Sequence, residues 1–150
     1  MSDTLPHIGE VLSSTVPMVR TLGLRYVETT AERAVVSLPD HPDYRNHVGG
    51  PHAGAMFTAG ESASGAVVLG AFGDELTRAV PLPVRVEVAY TKIATGEVRA
   101  TATLGRPAAE VVAELDAGRR PEFPIEVVLT REDGAETGRM TVVWTLRPNR

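Results

Sequence analysis

Cysteine is missing from this chain of 150 residues. Without a thiol, the chain has no cysteine nucleophile, no cysteine-based zinc or iron–sulfur site and no disulfide framework of the kind found in secreted scaffolds. Lysine is nearly missing too, because fourteen of the fifteen basic residues are Arg and only Lys92 is Lys. These charges are scattered and the formal net charge is -4. We therefore expect no nucleic-acid partner, since phosphate binding needs a dense basic face.

A basic start followed by an apolar run, the pattern of a secretory signal, is also absent from residues 1–14, which contain Asp3 and Glu10. One stretch, residues 53–72, is long enough to cross a membrane, but Glu61 lies near its middle and no basic residues flank it. A bilayer helix rarely tolerates such a carboxylate. We expect a cytoplasmic protein that binds no membrane.

The chain shows no internal repeat, low-complexity tract or linker, so we expect a single domain over residues 1–150. Apolar residues at spacings of three and four predict a helix over residues 5–22, ended or kinked at Pro17. Alternating patterns predict six strands, at residues 24–29, 33–39, 84–91, 98–104, 124–131 and 138–147. Short connections predict three hairpins, of which the second turns at Thr95-Gly96 and the third at 132–134.

Residues 54–72 are apolar on nearly all sides and too many for a strand, which predicts a buried central helix. Its four glycines, at 54, 60, 65 and 70, each disfavour a helix by about 1 kcal/mol. Close wrapping by a sheet would explain them. The segregation of helices and strands excludes a doubly wound parallel sheet. We therefore predict an α+β fold in which a six-stranded antiparallel sheet wraps a long central helix.

Several common site motifs are missing. The chain has neither the GxGxxG nor the GxxxxGK[ST] loop, and residues 60–64 lack the second glycine of a hydrolase nucleophile elbow. His41, His47 and His52 are five and six residues apart in the polar loop 40–53, a spacing that matches no known metal-ligand motif. We expect no metal site.

Glu61 is the only formal charge in the predicted helix 54–72. A carboxylate on a buried helix needs a partner or a chemical role, although a solvated edge of the helix is the alternative. At the start of this helix, the amides of Ala53 and Gly54 point outward and, with the helix dipole, would stabilise an oxyanion. These neighbouring donors favour a chemical role for Glu61.

Taken alone, Asn46 and His52 are also typical of an Asx turn and a helix cap. The stretch 46–55, NHVGGPHAGA, followed by Glu61, resembles the hotdog-fold thioesterases, particularly the phenylacetate-pathway type of acyl-coenzyme A thioesterase. In that family the site combines an Asn, a His at the start of the central helix and an acidic residue nine positions after the His. Asn46, His52 and Glu61 keep this spacing, and the order of elements agrees over almost the whole chain. The resemblance implies the hotdog fold.

The chain departs from the family pattern at two positions. Ala53 stands where the family usually has Gly, and Glu61 stands where the acid is commonly Asp. Some hotdog thioesterases use Glu together with a helix hydroxyl one turn later, a position that is Gly65 here, with Ser64 beside it. The resemblance therefore suggests that Ser64 orients the Glu61 carboxylate.

The resemblance implies hydrolysis of an acyl-coenzyme A (acyl-CoA) thioester without a metal or a bound cofactor, with coenzyme A (CoA) as part of the substrate. The amides of Ala53 and Gly54 would polarise the thioester carbonyl, and Glu61 would either activate water as a general base or attack directly as a nucleophile. Asn46 would position the water or the carbonyl. His52 would shape the loop and form a hydrogen bond near the carbonyl.

The expected substrate-binding residues are a loop glycine, two apolar side chains that bear on pocket depth and three basic residues for the coenzyme phosphates: Gly50, Phe57, Val68, Lys92, Arg99 and Arg106. Plain solvated charge is the alternative for the basic residues. Two other functions stay open. One is a hotdog protein that binds an acyl group or acyl-CoA without turnover, with Glu61 structural. The other is dehydration of a 3-hydroxyacyl thioester, which would ordinarily need a His acting jointly with a carboxylate.

Helix geometry also bears on assembly. At 1.5 Å per residue, Glu61 lies about 10–13 Å along the helix axis from the amides of Ala53 and Gly54. One thioester carbon cannot touch both groups in a single chain. If both act on one carbonyl, the Glu61 must come from a second protomer whose central helix runs antiparallel, giving two shared sites per twofold dimer. We therefore expect a homodimer, with pairing of dimers into tetramers left open.

Overall fold

The computed structural model describes residues 3–150. In chain order the elements are α1 (Pro6–Thr15), α2 (Pro17–Thr21), β1 (Arg25–Thr29), β2 (Arg33–Leu38), α3 (Ala53–Phe72), β3 (Ala79–Tyr90), β4 (Val98–Leu104), α4 (Ala108–Asp116), β5 (Glu122–Arg131) and β6 (Glu136–Pro148). Single turns of 3-10 helix occur at Pro42–Tyr44 and Gly73–Glu75. The predicted first helix is divided at Val16 into α1 and α2, because Pro17 cannot donate a helical hydrogen bond and starts a new helix.

The six strands form one antiparallel sheet in the order β1-β2-β4-β5-β6-β3. This confirms the predicted fold class, six strands around a long helix. The hairpins β1–β2 and β5–β6 are also confirmed. In the second of them, Gly134 takes a φ of +83°, which only glycine adopts easily.

The predicted hairpin at Thr95-Gly96 is wrong. β3 pairs with β6 from one end to the other, whereas β4 lies between β2 and β5. Gly96 has the positive φ of a turn residue, +69°, but it belongs to a connection that crosses to another part of the sheet. Turn chemistry does not select the partner strand. The 12 residues of β3 form a longer hydrogen-bonded ladder with the 13 residues of β6 than the 7 residues of β4 would allow.

Close wrapping by the sheet accounts for two of the four glycines of α3. A Cβ at Gly60 would clash with the sulfur of Met140 on β6, and a Cβ at Gly70 would clash with the carbonyl oxygen of Thr30 in the β1–β2 turn. At Gly65 a Cβ would make only ordinary contacts, so that glycine is not required by packing within the chain. The sheet and its turn therefore approach α3 closely at two levels, through a side chain at Gly60 and through backbone at Gly70, as the glycine pattern suggested.

The segment Ala53–Glu75 has the length and apolarity of a membrane-crossing helix, with a mean hydropathy of 1.2 over its 18-residue window. Inside the fold, 56% of that window is buried. The residues buried along α3 are mostly alanines and valines that pack under the sheet. The helix is therefore the core helix of this domain, as predicted.

Candidate active site

The loop before α3 is closed by one side chain, that of Asn46. Its Oδ1 accepts hydrogen bonds from the N–H groups of Val48 (3.0 Å) and Gly50 (3.2 Å), and its Nδ2 donates to the carbonyl of Pro51 (3.3 Å). Gly50 packs directly against the backbone of Ala94. A Cβ at position 50 would clash with the carbonyl oxygen of Ala94. The Asx-turn role of Asn46 is therefore observed, and one hydrogen on Nδ2 is left for a ligand.

His52 is the N-cap of α3. Its Nδ1 accepts a hydrogen bond from the N–H of Gly54 at 2.8 Å, which requires Nδ1 to be unprotonated. In the neutral ring the proton is then on Nε2, where it is available for donation. The Gly54 amide is occupied, so the structure differs from the predicted donor pair. Ala53, in the first turn, has no intrahelical acceptor for its N–H.

Tyr90, at the end of β3, connects that strand to the start of α3. Its hydroxyl donates a hydrogen bond to the carbonyl of Ala53 at 2.9 Å, and partial burial raises the pKa of this phenol. Between the two elements lies a cavity of about 410 Å³, which we call the entry cavity; it is lined by Asn46, Val48, Pro51, Ala53, Met56, Tyr90, Thr91, Lys92, Ile93 and Ala94. Three predicted site residues, Asn46, Ala53 and Lys92, thus face one cavity.

The carboxylate of Glu61 is partly buried on α3. Burial raises its pKa above the usual range, and within residues 3–150 it forms neither an ion pair nor a hydrogen bond that would oppose this shift. Its titratable neighbour is Tyr26 on β1, whose own pKa is raised by burial and by the Glu61 charge. Tyr26 packs tightly under α1, where a Cβ at Gly9 would lie 2.8 Å from the Tyr26 Cβ.

Ser64 is fully buried one turn after Glu61. Its hydroxyl donates to the backbone carbonyl of Glu61 at 2.6 Å and accepts from the indole Nε1 of Trp144 at 2.9 Å. The predicted contact between this hydroxyl and the Glu61 carboxylate is therefore not the one in the structure. Ser64 instead links the helical turn on which Glu61 lies to Trp144 on β6.

The other predicted substrate residues are dispersed. Val68 is 2% exposed and packs in the core, whereas Phe57 is partly exposed on α3. Arg106 is bound to Glu110 and Glu114 and donates to the carbonyl of Glu122 at 3.0 Å; it lines a separate cavity near the far end of α3. Arg99 is paired with Glu97 at 3.4 Å. The structure brings none of these four predicted residues to the entry cavity.

The loop histidines His41, His47 and His52 are not part of a group of possible metal ligands among the residues that the structure describes. Over residues 3–150, no three His, Asp or Glu side chains are grouped so as to hold a metal ion. His41 accepts a hydrogen bond from the N–H of Asp43 at 3.1 Å and stacks on Tyr44 with ring centroids 4.8 Å apart. These contacts give His41 a structural role in the loop.

The candidate site residues of this chain therefore lie in two groups. We call the loop 46–51 with His52 and Ala53 the donor half, and Glu61 the acid half. Ala53 and Glu61 lie on the same continuous helix, Ala53–Phe72, and eight residues of rise separate them by about 12 Å along the axis. On the observed helix, as on the predicted one, a single thioester carbon cannot touch both groups of one chain.

Solved structures share this fold over nearly the whole chain. A protein of unknown function from Pseudomonas aeruginosa, named a probable thioesterase, is 23% identical with a TM-score of 0.85, covering 99% of this chain and 100% of that one. A thioesterase family protein from Silicibacter pomeroyi is 19% identical with a TM-score of 0.74, covering 95% and 98%. A protein of unknown function from Chlorobaculum tepidum is 12% identical with a TM-score of 0.84, covering 95% and 93%. At these identities the likeness establishes the fold.

No curated protein sequence matches the chain significantly. The fold shared with these structures is the hotdog fold, which confirms the fold implied by the resemblance stated from the sequence. A family model described as "Domain of unknown function (DUF4442)" matches residues 7–146. The chain therefore belongs to the DUF4442 family.

Proposed function

We propose that this protein is a cytoplasmic acyl-CoA thioesterase that hydrolyses its substrate without a metal or bound cofactor. The observation that carries the proposal is Glu61, a partly buried carboxylate on the core helix whose pKa is raised and which has no partner within residues 3–150. A structural glutamate in such a place would be paired, because an unpaired buried charge costs stability. Two solved structures with the same fold carry thioesterase names, which supports this chemistry.

The acid half of one protomer would act with the donor half of its partner. Exposed and partly exposed residues recur every three or four positions along the first part of α3, at Gly54, Phe57, Thr58, Glu61 and Gly65, and Ala53 and residues 69–71 are also not fully buried. They form one uncovered stripe that contains both the start of the helix and Glu61. A second copy of α3 packed antiparallel on this stripe would place each Glu61 beside the partner's helix start. It would also cover apolar surface.

In a site formed by the donor half of one protomer and the acid half of its partner, each half has a chemical role. The N–H of Ala53 and the Nε2–H of His52 would donate to the thioester oxygen as negative charge develops there. Glu61 would take a proton from a water held by Asn46, and the resulting hydroxide would add to the carbonyl carbon. The C–S bond then breaks, the carboxylic acid is released, and the thiolate takes up the proton that Glu61 accepted.

A thiol-release assay tests this function directly. Purified protein should release free thiol from at least one of a panel of short-chain, aromatic and long-chain acyl-CoA substrates, and a metal chelator should leave the rate unchanged. If calorimetry shows that acyl-CoA binds but no thiol is released from any substrate, the protein is a binding protein and the proposal is wrong. Loss of activity on chelation would also contradict it, since it would restore the metal hypothesis.

His52 offers a test that separates structure from chemistry. Replacing it with Ala removes both the cap and the Nε2 donor, so His52→Ala should lower the free energy of unfolding by about 1 kcal/mol and reduce turnover by roughly 10²-fold. His52→Ser restores a strong N-cap but does not present a donor in the same place. We expect it to regain the stability and not the turnover, as measured by thermal unfolding and thiol release. Equal recovery of both quantities would assign His52 a structural role only.

A further inference from the structure

The entry cavity combines an apolar lining with one unpaired cation. Val48, Pro51, Met56 and Ile93 line it together with Lys92, and its volume of about 410 Å³ lies within the range of small-molecule sites. At its rim, Ile93 is 64% exposed and Val48 is 57% exposed. A ligand seated here would cover these apolar groups and meet the Lys92 ammonium at the same time.

The backbone that carries Lys92 is fixed, whereas its ammonium is free. The N–H groups of Thr91 and Lys92 both donate to the carbonyl of Thr137, at 2.9 and 3.2 Å. The next residue, Ile93, accepts a hydrogen bond through its carbonyl from Arg131 at 2.9 Å. These bonds hold the segment against the sheet. The backbone of this part of the cavity wall is thus held in place, and the flexible Lys92 side chain must order when a ligand binds.

Lys92 also differs from most arginines of the chain. Eight of the fourteen arginines are paired with carboxylates, including Arg99 and Arg106, whereas Lys92 forms no ion pair within residues 3–150. Arg131, and to a smaller extent the charge of Lys92, lower the pKa of Asp133, but this carboxylate is already bound by Arg131 at 2.9 Å and by the N–H of Ala135 at 3.0 Å. Lys92 is therefore free to bind an anion from solution.

We propose that Lys92 binds an anionic group of the thioester substrate, and so sets substrate preference. The proposal rests on the proposed function, because Ala53 lines the same cavity as Lys92 and one substrate would reach both. The anion is a phosphate of the coenzyme or a carboxylate on the acyl group. Both are oxyanions that a lysine binds as a point charge. Arg99 and Arg106 then have no part in this recognition, contrary to the expectation from the sequence.

The test uses Lys92→Met, which keeps most of the side-chain length and removes the charge. For substrates that carry the anion, we expect the KM to rise about 10- to 100-fold, the effect of losing one charge-assisted hydrogen bond, with kcat within about twofold of the parent. Lys92→Arg should restore most of the affinity. Arg139→Met, which removes an exposed cation on β6, is the matched control and should leave KM unchanged.

Two sets of ligands identify the source of the anion. Binding of coenzyme A, phosphopantetheine and phosphate-free pantetheine, measured by calorimetry, tests the phosphate. Butyryl and succinyl thioesters of the phosphate-free thiol N-acetylcysteamine test the carboxylate. If the anion is a phosphate of the coenzyme, Lys92→Met should weaken binding of the phosphate-bearing ligands only. If the anion is a carboxylate on the acyl group, the substitution should weaken binding of the succinyl thioester only.

The calorimetric measurement does not depend on turnover, so it separates this inference from the proposed function. If the parent releases no thiol but binds coenzyme A more tightly than the Lys92→Met variant does, the anion site stands and the thioesterase proposal fails. If the parent and the variant bind all of these ligands equally, or the parent binds none of the anionic ones, the anion site is wrong.

Discussion

Glu61→Gln should reduce thiol release by at least 10²-fold while the protein keeps its fold. The amide has nearly the same shape as the carboxylate but cannot accept a proton from water or attack a carbonyl, and the loss of such a group typically costs two to four orders of magnitude. Substrate binding should change little, so the loss should be in kcat. A Glu61→Gln variant that turns over acyl-CoA as fast as the parent would show that Glu61 is not the catalytic acid–base group.

The pH dependence of the parent follows from the same residue. The ionised carboxylate is the active form, so the rate should rise with pH through the Glu61 pKa and then reach a plateau. Because burial raises this pKa, the rise in rate should lie at higher pH than the titration of a solvated glutamate, whose pKa is about 4.3. A rate already constant from that value upward would contradict this assignment.

The same substitution should make the protein more stable at neutral pH. Glu61 has a higher pKa in the folded chain than in the unfolded chain, so the folded state binds the proton more tightly. The pKa of this glutamate is about 4.3 in the unfolded chain and higher in the folded chain. As the pH rises between the two values, the unfolded chain loses its proton first and the stability falls. Gln is uncharged at every pH and avoids this loss.

Thermal unfolding from pH 3 to pH 8 measures the effect. The Tm of Glu61→Gln should exceed that of the parent at pH 8, and the difference should disappear below pH 4, where the parent glutamate is protonated in both states. Glu10→Gln, at an exposed position of α1, is the control and should show no such trend. A Glu61→Gln variant that is less stable than the parent at neutral pH would mean that the carboxylate has a stabilising partner in the assembled protein.

The sequence was sufficient to predict the elements of the fold but not all of their pairings. Alternation and turn residues are local signals, and they located six strands and two of the three hairpins, although β3 begins at Ala79 and not at the predicted residue 84. The partner of β3 depends on ladder length and on the other end of the chain, and no local pattern contains that information. The glycines of α3 suggested close approach of the sheet, and the clashes at Gly60 and Gly70 provide the reason.

The candidate site was predictable only where its residues are close in the chain. Asn46, His52 and Ala53 lie on one loop and helix start, so their spacing carried the signal. Tyr90 and Tyr26 come from strands that are far away in the chain, and their contributions depend on the sheet register. The hydrogen bond from the Gly54 N–H to His52 Nδ1 could not be read from spacing either, because it depends on the rotamer of the imidazole.

Mixed dimers of two inactive variants should recover about a quarter of the parent activity. The donor half and the acid half of one chain are separated by about 12 Å along α3, so we expect each site to take its acid half from the partner. Glu61→Ala chains keep an intact donor half, and Asn46→Ala/His52→Ala chains keep an intact acid half. When equal amounts are unfolded together and refolded, half of the dimers are mixed, and each has one intact site of two.

A cross-link tests the same arrangement without relying on turnover. If each Glu61 lies beside the partner's helix start, the twofold axis passes between these positions, near Thr58. Because the chain has no cysteine, a single Thr58→Cys substitution should form a covalent dimer on mild oxidation or with a short thiol cross-linker. Ser14→Cys, at an exposed position on α1, is the control and should remain uncross-linked.

The two measurements together decide whether the sites are shared. Mass spectrometry must first show that mixed dimers form, and circular dichroism must show that both variants fold. If mixed dimers are present and no activity returns, the acid half and the donor half do not act on the same carbonyl across a dimer. A Thr58→Cys dimer without complementation would leave the antiparallel pairing of α3 in place and remove Glu61 from a shared site. Recovery of about one quarter of the activity requires both the antiparallel pairing of α3 and a site shared between two chains. Within a single chain, one thioester carbon cannot reach two groups about 12 Å apart.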